Sequence, residues 1–150
     1  MIKKSVKPQS NRLRVGRVSL PHQVYSITLV TKLRASIFAQ HHCAAVAAKY
    51  LYDEDILRHV DMLAFVVMPD HVHWLLQLKE SGDLSEAVRL YKAKVSVRLG
   101  ESCWQPGFHD HAVRDEEDVA SVARYIVANP LRAGLCQKIG DYPYWNAIWL

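Results

Sequence analysis

The sequence predicts an α+β protein in which helices pack on an antiparallel sheet. Short β-branched or apolar runs alternate with segments of helical periodicity, and two of the apolar runs are joined by a Pro-Asp turn. At 150 residues, 50% hydrophobic and 23% charged, the chain suits one domain with a real core. We therefore expect a single domain over residues 1–150, with no membrane span.

The first half of the chain predicts a strand, a helix and a β-hairpin. Residues Gln23–Val30 are rich in β-branched and aromatic side chains, which favours a strand. An alanine-rich segment from about Ser36 to Arg58 favours one long helix. Met62–Met68 is typical of a buried strand, and His71–Leu78 is expected to return antiparallel to it after the Pro-Asp turn.

The second half predicts a helix, a strand, a third helix and a tail. Leu84–Leu99 has helical spacing, and Gly100 follows as a C-terminal cap. Phe108–Arg114 is a short strand, and a helix capped by Asp115 should run to about Asn129 before Pro130. Residues 131–150 are expected to form a loop-rich tail that packs back on the body.

Charge and cysteine usage indicate a polyanionic partner and a reducing compartment. The net charge is +4, and residues 1–19 are expected to form a basic, irregular arm. Three scattered cysteines suit free thiols, and the N-terminal residues lack the apolar core of a secretory signal, so we expect a cytoplasmic protein. The cationic candidates for contacts with DNA phosphates are Arg12, Arg14, Arg17, Lys92, Lys94, Arg114 and Arg132.

Two histidines of the predicted hairpin are a candidate half of a metal site. Side chains alternate along a strand, so His71 and His73 share one face, with Cα atoms roughly 6–7 Å apart. Two imidazoles at that reach can hold one cation. Strand histidines are also commonly satisfied polar residues, and His109 with His111 forms a second alternate-residue pair.

Two residues of the third predicted helix could complete the site. Tyr125 and Asn129 are four apart, so they point the same way from one helix. An amide oxygen is a suitable ligand for Mg²⁺ or Mn²⁺, and an assisted phenol can act as a covalent nucleophile. Tyr125 could instead pack its ring on the protein and expose its hydroxyl to solvent, and Asn129 could merely end the helix.

Three segments together carry a family resemblance that spans the chain from about Val24 to Tyr144. Met68–His73, Trp104–Glu116 and Tyr125–Leu135 resemble, in this order, the signature blocks of the single-tyrosine HUH transposases. Within that superfamily they most resemble the REP-associated tyrosine transposases.

The resemblance implies a ferredoxin-like α+β fold and a metal-dependent enzyme that nicks and rejoins single-stranded DNA. It implies Tyr125 as the nucleophile that forms a 5′-phosphotyrosine, and His71, His73 and Asn129 as ligands of Mg²⁺ or Mn²⁺. The implied partner is single-stranded or hairpin DNA of the REP type, bound by a monomer or a homodimer. Asp70, where relatives often carry Asn, and Ser26, where many carry His, depart from the pattern.

Two other function classes remain open at this point. One is a non-catalytic module that binds structured single-stranded nucleic acid with the same sheet. The other is a small zinc hydrolase or deaminase that uses His71 and His73, although the Pro-Cys-x-x-Cys signature of such deaminases is absent.

Overall fold

The computed structural model describes residues 22–114 and 116–149. The strands are β1 (Val24–Val30), β2 (Val60–Met68), β3 (His71–Leu78), β4 (His109–Val113) and β5 (Trp145–Ala147). The helices are α1 (His41–Lys49), α2 (Glu54–Leu57), α3 (Leu84–Leu99), α4 (Glu116–Val127) and α5 (Asn129–Arg132). No helix in the described ranges is long and apolar enough to cross a bilayer.

The strands form one antiparallel sheet in the order β4-β1-β3-β2-β5. The first four strands, with α1 and α3 between them, follow the β-α-β-β-α-β path of a ferredoxin-like fold. The predicted α+β class, the hairpin of β2 and β3 and the helix Leu84–Leu99 are confirmed. Gly100 ends that helix with φ of 78°, a left-handed conformation that glycine adopts without strain.

The two faces of the sheet have separate hydrophobic clusters. Alternate residues of β1 and β3, such as Leu29 and Trp74, pack with Tyr91 of α3 in the larger cluster. On the opposite face, Ala123 and Ile126 of α4 pack in a smaller cluster that draws on β2 and β3. Since α4 packs mainly on β2, with β3 and β5 beside it, the β1 and β4 side of this face is less covered.

The alanine content of the segment from Ser36 to Arg58 predicts one long helix, and this prediction is wrong. It comprises a 3-10 turn at residues 37–39, α1, a second 3-10 turn at residues 50–52, and α2. Asp53 has extended backbone angles, and its carboxylate accepts a hydrogen bond from the Asp55 N–H at 3.1 Å. An aspartate that caps a new helix in this way interrupts the preceding one.

The C-terminal region differs from the prediction at two points. The third helix ends at Val127, and Asn129 begins a separate short helix, because Pro130 has no N–H to continue the first. The tail is not only loops, since β5 pairs with β2 and extends the sheet. A strand of three residues is too short to show a reliable alternation in sequence.

We predict that Gly82→Ala destabilises the fold through a steric clash with the backbone. A Cβ at residue 82 would lie 2.0 Å from the carbonyl oxygen of His59, so the chain must shift. Urea denaturation should show a loss of roughly 1–3 kcal/mol in the free energy of unfolding, as overpacking typically costs. Gly140→Ala is the control, because open space surrounds that position. Equal stability of the two variants would contradict the close approach of residues 59 and 82.

Candidate active site

The register of β3 puts both histidines on the face that α4 partly covers. His73 lies opposite Thr28 of β1 and Val66 of β2, and His71 lies one pair further along the same face. The two imidazole centroids are 4.8 Å apart, with the rings edge to face at 86°. The two rings are therefore close enough to bind one ion together.

Each imidazole has a neighbour at its Nδ1 atom. The Asp70 Oδ1 atom lies 2.7 Å from His71 Nδ1, and the Thr28 Oγ1 atom lies 3.1 Å from His73 Nδ1. Asp70 also accepts from Arg34 Nε at 3.3 Å. Neighbours of this kind fix the orientation of a ring and leave Nε2 as the nitrogen for a metal or substrate.

The environment of His73 keeps this imidazole neutral at physiological pH. Burial, and then the charges of His71 and Arg132, lower the pKa of His73 to about 4. A neutral imidazole has a free lone pair, which is the form that binds a metal ion. Burial raises the pKa of Asp70, but interactions with His71 and Arg34 outweigh burial and keep it below the ordinary value.

Tyr125 projects from the last turn of α4 with 64% of its surface exposed. Its hydroxyl has no hydrogen-bond partner among residues 22–114 and 116–149. The Arg132 Cζ atom lies 3.6 Å from the centroid of the phenol ring, and Arg132 Nη2 donates to the Tyr125 carbonyl at 2.7 Å. The charge of Arg132 also acts on His73, and α4 packs on the face of the sheet that carries the histidine pair.

Asn129 carries a polar atom that suits a ligand position. Its Nδ2 atom is buried and has no hydrogen-bond partner in the described part of the chain. A buried amide without partners is costly, and a rotation that exchanges its oxygen and nitrogen would present the oxygen instead. Two imidazoles and an amide oxygen are a donor set that fits a divalent cation.

A zinc site built from the usual ligand types is not found in the described ranges. No group of three His, Cys, Asp or Glu side chains lies close enough there to hold one ion. Catalytic zinc ordinarily takes three such ligands from the protein. The zinc hydrolase alternative therefore lacks a ligand set among these residues.

The predicted DNA-contacting cations occupy different parts of the molecule. Lys92 and Lys94 belong to α3, which covers the face opposite the histidine pair. Lys92 Nζ donates to the carbonyls of Gln105 and Gly107, and Lys94 pairs with Asp53 at 2.9 Å and with Asp55 at 2.8 Å. These contacts hold Lys92 and Lys94 within the body of the fold. Arg12, Arg14 and Arg17 lie outside the described residues, so contacts of these five with DNA remain a prediction.

Strand β4 extends the candidate site across the sheet. His109 lies opposite Thr28 and His111 opposite Ser26, so both exposed histidines share the face of His73, whereas Asp110 between them faces the other way. Arg114 follows β4 and lines, with His111 and residues of α4, a cavity of about 200 Å³.

Two residues of the site were not identified from the sequence. Thr28 could have been found, because polar residues at 26 and 28 alternate with buried apolar ones and so mark the histidine face of β1. Arg34 has no comparable signal, since it reaches Asp70 from an irregular segment with φ of 52°.

We predict that acid destabilises the fold through His73. The folded-state pKa is about 4 and the ordinary value is 6.5, so the unfolded chain binds more protons between these values. The free energy of unfolding should therefore fall as the pH drops from about 6.5 towards 4, and this contribution is fully present above that window. Urea denaturation with EDTA at pH 7 and pH 5 should show a loss of about 1–2 kcal/mol that His73→Gln lacks. An equal loss in both proteins would contradict this assignment.

Comparison with solved structures supports the same fold. A REP-associated tyrosine transposase bound to a REP hairpin superimposes with a TM-score of 0.71 at 24% identity, covering 86% of this chain and 79% of the other. A protein of Deinococcus radiodurans, provisionally described as a transposase, gives a TM-score of 0.54 at 23% identity and covers 74% of this chain and 93% of its own.

Sequence comparison identifies the family. A REP-associated tyrosine transposase of Escherichia coli strain K12 is 33% identical over 89 residues, which are 58% of this chain and 54% of that protein. A Haemophilus influenzae protein with the same description, given provisionally, is 31% identical over 101 residues, or 56% of this chain and 57% of its own. The chain thus spans about half the length of these curated relatives. The family model described as "Transposase IS200 like" matches residues 19–129, so the chain belongs to the IS200-like transposase family.

Proposed function

We propose that this protein is a metal-dependent transposase that nicks and rejoins single-stranded DNA through Tyr125. The observation that carries the proposal is that Tyr125, in contact with Arg132, lies in the last turn of the helix that packs on the sheet face where the His71 and His73 imidazoles lie 4.8 Å apart. A nucleophile and a ligand pair on one face of the sheet can act on one phosphate. Membership of the IS200-like family supports the same chemistry.

The proposed cleavage exchanges one phosphoester bond for another. The Tyr125 hydroxyl loses its proton as its oxygen attacks the scissile phosphorus, the bond from phosphorus to the 3′ oxygen breaks, and that oxygen takes up a proton, so that no net proton is gained or lost. The products are a 5′-phosphotyrosine and a free 3′-OH. Since the ester bond is conserved, a 3′-OH can attack the phosphotyrosine and rejoin the strand without an external energy source.

The chain's own residues provide three contributions to this step. The phenol of Tyr125 is exposed, and its hydroxyl has no hydrogen-bond partner in the described part of the chain, so DNA can approach it. The guanidinium of Arg132 adds positive charge where the phosphate must lie. The imidazoles of His71 and His73, with the amide oxygen of Asn129, would hold Mg²⁺ or Mn²⁺, which would supply Lewis-acid stabilisation of the phosphate and the leaving oxygen.

We further propose hairpin DNA of the REP type as the substrate. A solved protein of the same fold is described as bound to a REP hairpin. In this chain the less covered β1 and β4 side of the sheet bears exposed His109 and His111, with Arg114 following β4. Imidazole N–H groups and a guanidinium on an open sheet face are suitable partners for the phosphates of an extended strand.

We predict that Tyr125→Phe abolishes covalent attachment to DNA and leaves DNA binding nearly intact. The variant lacks the attacking oxygen but keeps the ring that contacts Arg132. The assay incubates the protein with a single-stranded hairpin and Mg²⁺ or Mn²⁺; a 3′ label follows the denaturation-resistant adduct, and a 5′ label follows the nicked product. Tyr52→Phe is the matched control, because Tyr52 is an exposed tyrosine that packs on Phe65 in the other layer.

Two outcomes would count against the enzyme. An adduct or a nick of undiminished yield in Tyr125→Phe would remove Tyr125 from the chemistry. If the natural sequence bound the hairpin but formed no adduct with either metal, it would be a single-strand binding module instead.

We predict that Asp70→Ala weakens the binding of Mn²⁺ by about 10–100-fold, as the loss of a residue that orients a metal ligand typically does. Without the carboxylate at 2.7 Å from Nδ1, the His71 ring can rotate and adopt the other tautomer. Asp70→Asn should lose less, because its amide oxygen can still accept from Nδ1. Mn²⁺ titration followed by electron paramagnetic resonance measures this, with Asp61→Ala, an exposed carboxylate on β2, as the control. Unchanged affinity in Asp70→Ala would show that His71 needs no such support, or binds no metal.

A further inference from the structure

We propose that Arg132 is a positioning residue that holds the Tyr125 phenol in the orientation required for attack. This role acts through the tyrosine and is separate from the positive charge that Arg132 adds beside the phosphate. The inference rests on the proposed function, since it assumes that Tyr125 is the nucleophile. The inference concerns the orientation of the exposed Tyr125 side chain.

Arg132 contacts Tyr125 at two points, and we call this pair of contacts the clamp. The Arg132 guanidinium carbon lies 3.6 Å from the centre of the Tyr125 ring, and the same guanidinium donates to the Tyr125 carbonyl at 2.7 Å. One contact is to the side chain and the other to the backbone of the same residue. Together they couple the orientation of the ring to the end of α4.

The break between α4 and α5 explains why the guanidinium reaches this position. The last carbonyls of a helix lack intrahelical donors, and Tyr125 belongs to the final turn of α4. The helical donor for the Tyr125 carbonyl would be the Asn129 N–H, but α4 ends at Val127 and Asn129 begins α5. Arg132 is seven residues after Tyr125, about two helical turns, and long side chains point back towards the N-terminus of a helix. The Arg132 guanidinium therefore donates to the Tyr125 carbonyl in place of a backbone N–H.

A clamp of this kind matters because an unrestrained phenol is a poor nucleophile. With 64% of its surface exposed, Tyr125 would otherwise sample several rotamers, few of them in line with a phosphate. Stacking against the ring leaves the hydroxyl accessible. A guanidinium has five N–H donors, so the donors not used by the Tyr125 carbonyl can meet the phosphate beside the phenol.

The experiment compares Arg132→Lys and Arg132→Gln with Arg124→Gln. Arg124 is the matched control, since it is an exposed arginine of α4, the helix that carries Tyr125, and its Nη2 donates to Ser121 Oγ at 3.4 Å. Single-turnover adduct formation is measured with saturating hairpin DNA and Mn²⁺, and hairpin affinity is measured in the Tyr125→Phe background. Thermal unfolding confirms that each variant is folded. The resonances of ¹³C-labelled tyrosine rings, without DNA or metal, report the state of Tyr125 directly.

Loss of the clamp should slow the chemical step by about 100-fold, the typical effect of a misplaced reacting group. We expect this loss in both Arg132 variants, because a lysine retains the charge but cannot stack and donate in the same way. The Tyr125 ring resonance should shift and show faster motion in both, and Arg124→Gln should match the natural sequence throughout.

Contrary results separate this inference from the function on which it rests. One contrary result is that Arg132→Lys retains the rate of the natural sequence, and another is that weaker hairpin binding wholly explains the rate loss in Arg132→Gln. Either result would mean that Arg132 only contacts a phosphate, and it would overturn this inference but not the proposed function. An unchanged Tyr125 resonance in both variants would also overturn it. Failure of the natural sequence to form any adduct would overturn the proposed function, and the inference with it.

Discussion

The pairing of β3 between β1 and β2 is the constraint on which the candidate site depends. Side chains alternate along a strand, so a slip of one residue would move His71 and His73 to the face covered by α1 and α3. The same slip would move Val72 and Trp74 out of the larger core, where both are fully buried. Burial of one such side chain contributes about 1.5–3 kcal/mol, so the core on one face stabilises the register that orients the histidines on the other.

The interrupted end of the third helix makes the second contribution to the site. Tyr125, Asn129 and Arg132 are spaced at i, i+4 and i+7, which puts them on one side of a helical path even though the helix breaks between them. The break frees the Tyr125 carbonyl for the guanidinium and separates Asn129 from the turn that carries the tyrosine. The smaller hydrophobic cluster, which includes Ile126, anchors this segment on the histidine face of the sheet.

The parts of the fold that follow from local periodicity could be predicted from sequence, and the parts set by single contacts could not. The alternation in β3 predicted that His71 and His73 share a face, and the helical spacing of Leu84–Leu99 predicted α3. The division of residues 36–58 depends on the cap formed by Asp53, which competes with the strong helix propensity of the alanines around it. The pairing of β5 with β2 is a tertiary contact of three residues. The spacing of Arg132 from Tyr125 was a usable signal, but only the fold shows that the two side chains meet.

The central claim is that the phenol of the last full helix and the imidazoles of β3 surround one cation. Paramagnetic broadening by Mn²⁺ tests it most directly, because the effect falls steeply with distance from the ion. In protein with ¹³C-labelled tyrosine rings, substoichiometric Mn²⁺ should broaden the Tyr125 resonance more than that of Tyr52, which lies in the other layer. The broadening should disappear when His71 and His73 are both replaced by Gln. Broadening that spares Tyr125, or that persists without the two imidazoles, would contradict the account.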